Sequence, residues 1–287
     1  MNPGFTKVAV VYRPETPLAF ALASEVTRWL NQRGVTVYSS PDQKPIPGTK
    51  RAQGKALAGL NFVVVLGGDG TYLKAARWMQ GLGVPLLGVN LGSLGFLTPT
   101  RSNRVFEVLE KALLGTLLQQ SRSMLRVQIR RGRKITKEFV ALNDVVLERG
   151  SQSHLIQVEI HSQSTLVCEV KCDGLIVATP TGSSAYNLAA GGPILHPEVP
   201  AWSVTPIAAH SLTNRPFLLP DHLEMKLQLM GKNKKADFVV DGQKIAEITE
   251  HERIVLIRNP QDHQMFREPT DDYFHLLREK LKFGERS

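Results

Sequence analysis

Two rhythms of apolar residues divide this chain. Over the first hundred positions, compact apolar runs alternate with stretches of helical spacing. Val8–Tyr12 predicts a short strand. Leu18–Arg33 carries Leu22, Val26, Trp29 and Leu30 on one helical face, and Gly34 stands where such a helix stops. A second strand is predicted over Val35–Tyr38. Residues 39–50, SSPDQKPIPGTK, read as a loop containing Pro, Ser and Lys, the segment expected to be most mobile. Phe62-Val63-Val64-Val65-Leu66 is apolar throughout, as in a strand covered on both faces of a parallel sheet. Helices are predicted over Thr71–Leu82 and Ser102–Leu114, with a strand at Val84–Val89 between them. Strands alternating with helices of this length predict parallel β-α-β units.

Near residue 121 the period shortens. Alternating runs at Leu125–Arg130, Glu138–Leu147, His154–Ile160, Leu166–Lys171, Leu223–Leu229 and Arg253–Ile257 are separated by turn-type residues, which predicts antiparallel strands. Helical spacing returns at Asp271–Gly284 through Phe274, Leu277 and Leu281. The expected fold is therefore an α/β N-terminal domain with a parallel sheet, residues 1–120, and a mainly-β C-terminal domain, residues 121–264. The C-terminal helix, within 265–287, is expected to pack back on the first domain.

Composition narrows the class. With 287 residues, 42% of them hydrophobic, the chain has material for two cores and none of the character of a disordered protein. Two Cys exclude a disulfide-stapled fold, and Cys168 and Cys172, four apart on a predicted strand, lack metal-ligand spacing, so they read as reduced structural thiols. The run Val8–Tyr12 is too short for a signal-peptide core, and no stretch approaches the roughly 18 apolar residues of a membrane span. A soluble, cytoplasmic protein without a membrane partner is expected. The formal net charge of +9 suits an anionic partner. The first hundred residues hold 10 Lys+Arg against 4 Asp+Glu, and dense clusters occur at Arg130–Lys134 and Lys232–Lys235, both reading as hairpin tips. That scatter gives no concentrated nucleic-acid footprint, and no nucleic-acid partner is expected.

Candidate chemistry lies at strand ends. Gly67-Gly68-Asp69-Gly70-Thr71 follows the apolar strand and opens a helix, a junction where backbone N–H groups and the helix N-terminus suit phosphate. It is neither a Walker loop, since Gly70 is followed by Thr71 and Tyr72, nor a G-x-G-x-x-G fingerprint. Asp69 would be repelled by phosphate, so it serves as a cation ligand, as a proton acceptor or as the helix cap. A second glycine loop, Gly88–Leu97, follows the next strand and lines the same edge; its Asn90 either meets a ligand or holds the loop. In the second domain, Asn143-Asp144 interrupts the alternating strand Phe139–Leu147, which is costly unless the pair is partnered or faces a ligand. Lys171–Tyr186, followed by Gly191-Gly192-Pro193, ends an apolar strand in a hydroxyl-rich turn. Thr181, Ser183 and Ser184 suit ribose or phosphate oxygens, and Tyr186 offers a ring to a base; an ordinary Ser/Thr-capped helix is the plain alternative. The His residues form no ligand pattern, His196 and His210 read as structural or surface residues, and Ser183 has no evident His/Asp partner for hydrolysis.

Taken in order and spacing, GGDGT, NLGSLGFL, the Asn-acidic pair, DGLIVATPTGSSAYNLAAGGPI, Pro206–Pro220 and the tail YFHLLREKLKFGE resemble the NAD kinase family over nearly the whole chain. GGDGT alone is shared with lipid kinases and phosphofructokinases; the TPTGS-AY block is far more specific. The resemblance implies transfer of the terminal phosphoryl of ATP to the 2′-hydroxyl of the adenosine ribose of NAD, with Asp69 as general base. It implies that Gly67, Gly68, Gly70, Thr71 and Lys74 hold phosphates of ATP. It implies NAD contacts at Asp69, Gly70, Asn90, Asn143, Asp144, Lys171, Asp173, Thr181, Ser184, Ala185, Tyr186, Asn187, Ala189, Ala208 and Gln243. Asp144 stands where many members have Glu, and Ser184 where Thr is frequent. Mg²⁺ or another divalent cation is expected, with no ligands assigned, because no Walker Lys is present to neutralise the phosphates. The resemblance also implies a homo-oligomer, dimer or tetramer. The alternative activity is a lipid kinase of the diacylglycerol or sphingosine type; it leaves the hydroxyl-rich block unexplained. A non-enzymatic nucleotide sensor or nucleic-acid binder is the third reading.

Overall fold

The apolar run Phe62–Leu66 is a strand whose five residues are fully buried, and a parallel sheet grows on both sides of it. Burying a Val, Leu or Phe side chain contributes about 1.5–3 kcal/mol, so this strand anchors the unit around it. The computed structural model describes residues 4–151, 154–211, 213–232 and 234–284. Two units divide the chain: one runs to Ser121 and resumes at His263, the other is Arg122–Asp262.

In the first unit the sheet order is Lys50–Arg51, Thr36–Ser39, Lys7–Tyr12, Phe62–Leu66, Leu86–Asn90, His263–Arg267 and Leu118–Arg122, with Thr100–Arg101 also pairing to Leu86–Asn90. The pairings from Lys50–Arg51 to His263–Arg267 are parallel. Helix Pro17–Gln32 packs Ala19, Ala23, Val26 and Leu30 into the core and ends at Gly34, whose φ of +78° lets the chain turn back. The expected helix over Thr71–Leu82 runs instead over Asp69–Trp78, and Gly81 and Gly83, at φ +79° and +65°, break the chain after it. The Pro-containing segment 39–50 is pinned. Gln43 donates to the Val10 carbonyl and accepts from Tyr12 N, the Tyr12 hydroxyl donates to the Lys44 carbonyl, and Ile46 is buried. The C-terminal segment returns as a strand, His263–Arg267, as well as a helix, Tyr273–Leu281. Asp272 caps that helix by accepting from Phe274 N and His275 N, and Leu276 and Leu277 are its buried face.

The second unit holds two six-stranded sheets with antiparallel pairing. One orders Phe217–Pro220, Ala201–Ile207, Gly174–Ala178, Asp144–Glu148, Lys235–Val240 and Gln243–Thr249; the other orders Thr165–Cys172, Ile156–Ser162, Met225–Leu229, Arg253–Arg258, Leu125–Arg131 and Lys134–Ala141. Their inner faces share one core, in which Val127, Val158 and Leu256 of one sheet meet Val145, Val177 and Trp202 of the other. One sequence expectation is corrected. The run expected as a continuous strand through Asn143-Asp144 is two strands, Lys134–Ala141 and Asp144–Glu148, in different sheets. Leu142-Asn143 is the crossover between them, so Asn143 falls outside either ladder while Leu142 stays buried.

Asn233 of the second basic run, Leu212 of the segment Pro206–Pro220 and residues 285–287 of the tail lie outside the described residues. Arg131–Lys134 is a hairpin turn with Gly132 at φ +60°.

Candidate active site

Asp69 opens its helix at the end of the buried strand, yet it does not cap it: Gly68 is the cap residue, and no side chain serves there. Its carboxylate faces the second glycine loop instead. Oδ2 accepts from Phe96 N at 2.9 Å, while Oδ1 accepts from Leu97 N at 3.0 Å and from the Thr98 hydroxyl at 3.0 Å. Gly95 makes room for this, since a Cβ there would lie 2.0 Å from Asp69 Oδ1 and 2.3 Å from Thr98 Oγ1. Gly88 likewise lets the chain at Leu97 pass flush, for its Cβ would lie 2.2 Å from the Leu97 carbonyl oxygen. The two loops are thus joined through one carboxylate.

Asn90 belongs to the same network and holds the loop. Its Nδ2 donates to Thr98 Oγ1 at 2.9 Å and its Oδ1 accepts from Gly92 N at 2.6 Å. Of the glycines in GGDGT, Gly67 is demanded by crowding, as a Cβ would meet Thr71 Oγ1 at 2.5 Å; Cβ atoms on Gly68 and Gly70 would meet nothing within 4 Å. Thr71 is buried and Lys74 is exposed on the helix. Lys280, on the C-terminal helix, places Nζ 3.4 Å from Asp69 Oδ2 and 4.7 Å from the Phe96 ring centroid.

In the second unit the motifs hold one another. Asp241 accepts backbone N–H bonds from Leu142 at 3.0 Å, Asn143 at 2.7 Å and Asp144 at 3.2 Å. From the other side, the Leu142 carbonyl accepts from Thr179 Oγ1 at 2.6 Å and the Asn143 carbonyl from Thr179 N at 2.8 Å. Gly182, inside the hydroxyl-rich block, lies flush against the same peptide, where its Cβ would meet the Asn143 carbonyl oxygen at 2.1 Å. Backbone polar groups of the crossover are therefore spent internally. Two side-chain atoms are not: Asn143 Oδ1 and Thr181 Oγ1 are buried with no hydrogen-bond partner. Buried orphans of this kind mark a place where something else supplies the bond.

Asp144 is 5% exposed, and burial first, then the Asp241 carboxylate, pushes its carboxyl up to about 7. Tyr186 is half exposed; burial first, then Glu148 and Asp144, raises its phenol. Ala185 and Ala189 are exposed beside it, and Ser184 Oγ donates to the Thr181 carbonyl at 3.5 Å. Asn187 differs from the rest of its block. It is fully buried, its Nδ2 donates to the Ser183 and Pro193 carbonyls, and its Oδ1 accepts from Ser203 and Thr205 hydroxyls. That side chain holds the turn. Ser183, fully buried, does so too, exchanging bonds with the Pro180 carbonyl and Leu195.

Lys171 is exposed, and the cation beside Asp173 is Arg149, at 2.9 Å. Ala208, at φ +47°, and Gln243, at the start of its strand, are exposed. Sequence patterning missed Arg149, Lys280 and Asp241; only Asp241, in an Asp-Gly turn, had a local signal. His196 Nδ1 accepts from Glu198 N, and His210 is exposed. Both Cys are free, and burial pushes the Cys172 thiol up to about 12, which leaves it inert at neutral pH. Among the described residues, no group of three His, Cys, Asp or Glu is placed to hold a metal ion, and no helix is long and apolar enough to cross a membrane.

Comparison with known proteins agrees with the sequence resemblance. Residues 8–117 match the ATP-NAD kinase N-terminal domain, and residues 142–267 match the ATP-NAD kinase C-terminal domain. A NAD kinase from Bdellovibrio bacteriovorus is 52% identical over 281 residues, covering 98% of this chain and 93% of its own. One from Solibacter usitatus is 37% identical over 288 residues, covering 99% and 100%. Among solved structures, yeast NADH kinase complexed with NADH aligns at TM-score 0.90 and 26% identity, covering 100% of this chain and 90% of its own. A NAD kinase from Archaeoglobus fulgidus in complex with ATP aligns at TM-score 0.73 and 23% identity, covering 92% and 94%, a likeness of fold. None of these relatives favours the lipid-kinase alternative.

Proposed function

The chain belongs to the NAD kinase family, and on that premise we propose how its residues transfer the terminal phosphoryl group of ATP to the 2′-hydroxyl of the adenosine ribose of NAD. The activity is that of a phosphotransferase with an alcohol acceptor. Asp69 is the general base: it takes the 2′-hydroxyl proton as that oxygen bonds to the terminal phosphorus and the bond to the bridging oxygen breaks, releasing ADP. The observation that carries this is the carboxylate itself, fixed by two N–H groups and a hydroxyl yet 29% exposed in its side chain. Such reactions depend on positioning and charge neutralisation. The open faces of Gly68 and Gly70, with Gly67, Thr71 and Lys74 around them, suit phosphate oxygens.

Dinucleotide recognition falls to the second unit. The orphaned Asn143 Oδ1 and Thr181 Oγ1 are the groups that ribose hydroxyls or an amide would satisfy, with Asp144 beside them. Asp173, Ser184, Ala185, Tyr186 and Ala189 contribute to the same binding, with Lys171, Ala208 and Gln243; Asn187 supports it by holding the turn, and Asn90 by holding the loop that carries Asp69's partners. A divalent cation, Mg²⁺ by its chemistry, fits the partly exposed Asp69 carboxylate in a site where, among the described residues, no three His, Cys, Asp or Glu form a cage, since Mg²⁺ is commonly held by substrate phosphates and water; when bound it would neutralise phosphate charge. A cytoplasmic homo-oligomer completes the reading, and the exposed Leu166, Val167 and Leu218 on edge strands offer it apolar surface.

The test is Asp69→Asn, assayed with ATP and NAD while the 2′-phosphorylated product is quantified. Turnover should fall about 10²–10⁴-fold with the NAD dissociation constant unchanged. Near-normal turnover removes Asp69 from the base role.

A further inference from the structure

Lys280 lies far from every glycine motif in sequence, yet the C-terminal helix brings its ammonium to the carboxylate at the centre of the loop pair. Nζ is 3.4 Å from Asp69 Oδ2 and 4.7 Å from the Phe96 ring centroid, and its side chain is 32% exposed. It faces the Asp69 oxygen that receives a single backbone N–H, whereas Oδ1 already accepts two donors. Oδ2 accepts Phe96 N and the Lys280 ammonium, so it is the oxygen that gains room for an acceptor hydroxyl once that ammonium moves away.

The position of the reacting phosphorus follows. A base must lie about 2.6–3.2 Å from the oxygen it deprotonates. That oxygen sits about 3–3.5 Å from the phosphorus it attacks. The transferring group is thus within about 7 Å of Asp69 Oδ2, inside the sweep of an ammonium already 3.4 Å from that atom on a flexible four-carbon stem. The loop supplies no lysine of its own, because Thr71 and Tyr72 stand where a Walker loop has Lys and Ser/Thr.

We propose that Lys280 is a phosphate-binding catalytic residue, whose ammonium leaves Asp69 for the terminal phosphate of ATP and neutralises charge there during transfer. This rests on Asp69 as the base. The move also frees the Asp69 oxygen for the ribose hydroxyl, so donor binding prepares the base.

The experiment compares Lys280→Met, Lys280→Arg and Asp69→Asn in the full-length protein. Lys280→Met should lower kcat about 10²-fold, weaken ATP binding at least tenfold while leaving ADP binding within twofold, and keep the wild-type Tm; Lys280→Arg should restore most of the rate. Loss of ATP and ADP affinity together, with a fall in Tm, would mean that Lys280 only braces the loop, and overturns the proposal. So does wild-type kcat and ATP affinity in Lys280→Met beside an inactive Asp69→Asn. An impaired Lys280→Met with ATP-selective loss, beside an active Asp69→Asn, keeps the lysine and discards the base.

Discussion

Asp69 and Asp144 are the same residue type held in opposite ways. Asp69 stands among donors: two backbone N–H groups, a hydroxyl and the Lys280 ammonium. Asp144 is buried beside a second carboxylate, and both influences disfavour its charge. Each depends on a glycine that makes room, Gly95 for the Asp69 carboxylate itself and Gly182 for the Asn143 peptide next to Asp144. What differs is which part of the motif is spent on structure. Around Asp69 the backbone of the glycine loop donates to the side chain, so a reactive group is fixed while still partly exposed. Around Asp144 the backbone is consumed by Asp241 and Thr179, with Gly182 packed against it, and on the proposed reading the side chains of Asn143 and Asp144 are left for recognition. On the proposed reading, one arrangement fixes a group for chemistry and the other fixes groups for binding.

Removing the first glycine should break the comparison most severely. In Gly95→Ala the new Cβ would sit 2.0 Å from Asp69 Oδ1, so the carboxylate must abandon Leu97 N and Thr98. Turnover should drop about 10²–10⁴-fold, as for loss of the base itself, with the KM for NAD little changed. Wild-type turnover in this variant would mean that Asp69 need not be held in this place. Gly182→Ala comes next and should act on the other kinetic parameter. Its Cβ meets backbone, the Asn143 carbonyl oxygen at 2.1 Å, which cannot swing aside as a side chain can. A cost of about 3 kcal/mol is expected, read as a Tm lower by roughly 6–12 °C. The KM for NAD should rise while kcat at saturation holds. A fall in kcat alone would erase the division between the two regions.

These glycines show why parts of the site are legible in the sequence and parts are not. The parallel sheet is legible because Val8–Tyr12 and Phe62–Leu66 are buried on both faces, and burial of that kind leaves an uninterrupted apolar run. GGDGT is legible because a strand, glycines and a helix start coincide there. The partners of Asp69 are not legible, since the N–H groups of Phe96 and Leu97 are backbone and carry no residue signature. Nor is Lys280, which only the returning C-terminal helix brings near. The break at Asn143 was masked by the apolar alternation on both sides, which looks the same whether one strand continues or two sheets meet. Asn187 misleads in the other direction: it lies in the most specific motif, yet both ends of its amide are spent inside the fold. The strand His263–Arg267 is too short and polar, with His263 and Gln264 leading it, to stand out from its surroundings.

The buried carboxyl supplies the finest test, because its sign is fixed by linkage. In the unfolded chain an Asp loses its proton near its ordinary value of 3.8, whereas in the folded protein Asp144 keeps it up to about 7. Between those values the folded state binds the extra proton, so this group's contribution to stability falls as pH rises and levels off above about 7. Asp144→Asn has no such proton to lose. Following the urea midpoint of the ligand-free protein from pH 5 to 7.5, wild type should lose about 2 kcal/mol relative to Asp144→Asn, the difference cancelling the histidines common to both. Parallel curves would show that the Asp144 charge carries no penalty, and the contrast with Asp69 would collapse. Saturating NAD should flatten the wild-type slope, because a ribose hydroxyl donating to the carboxylate favours the charged form and returns part of what burial costs.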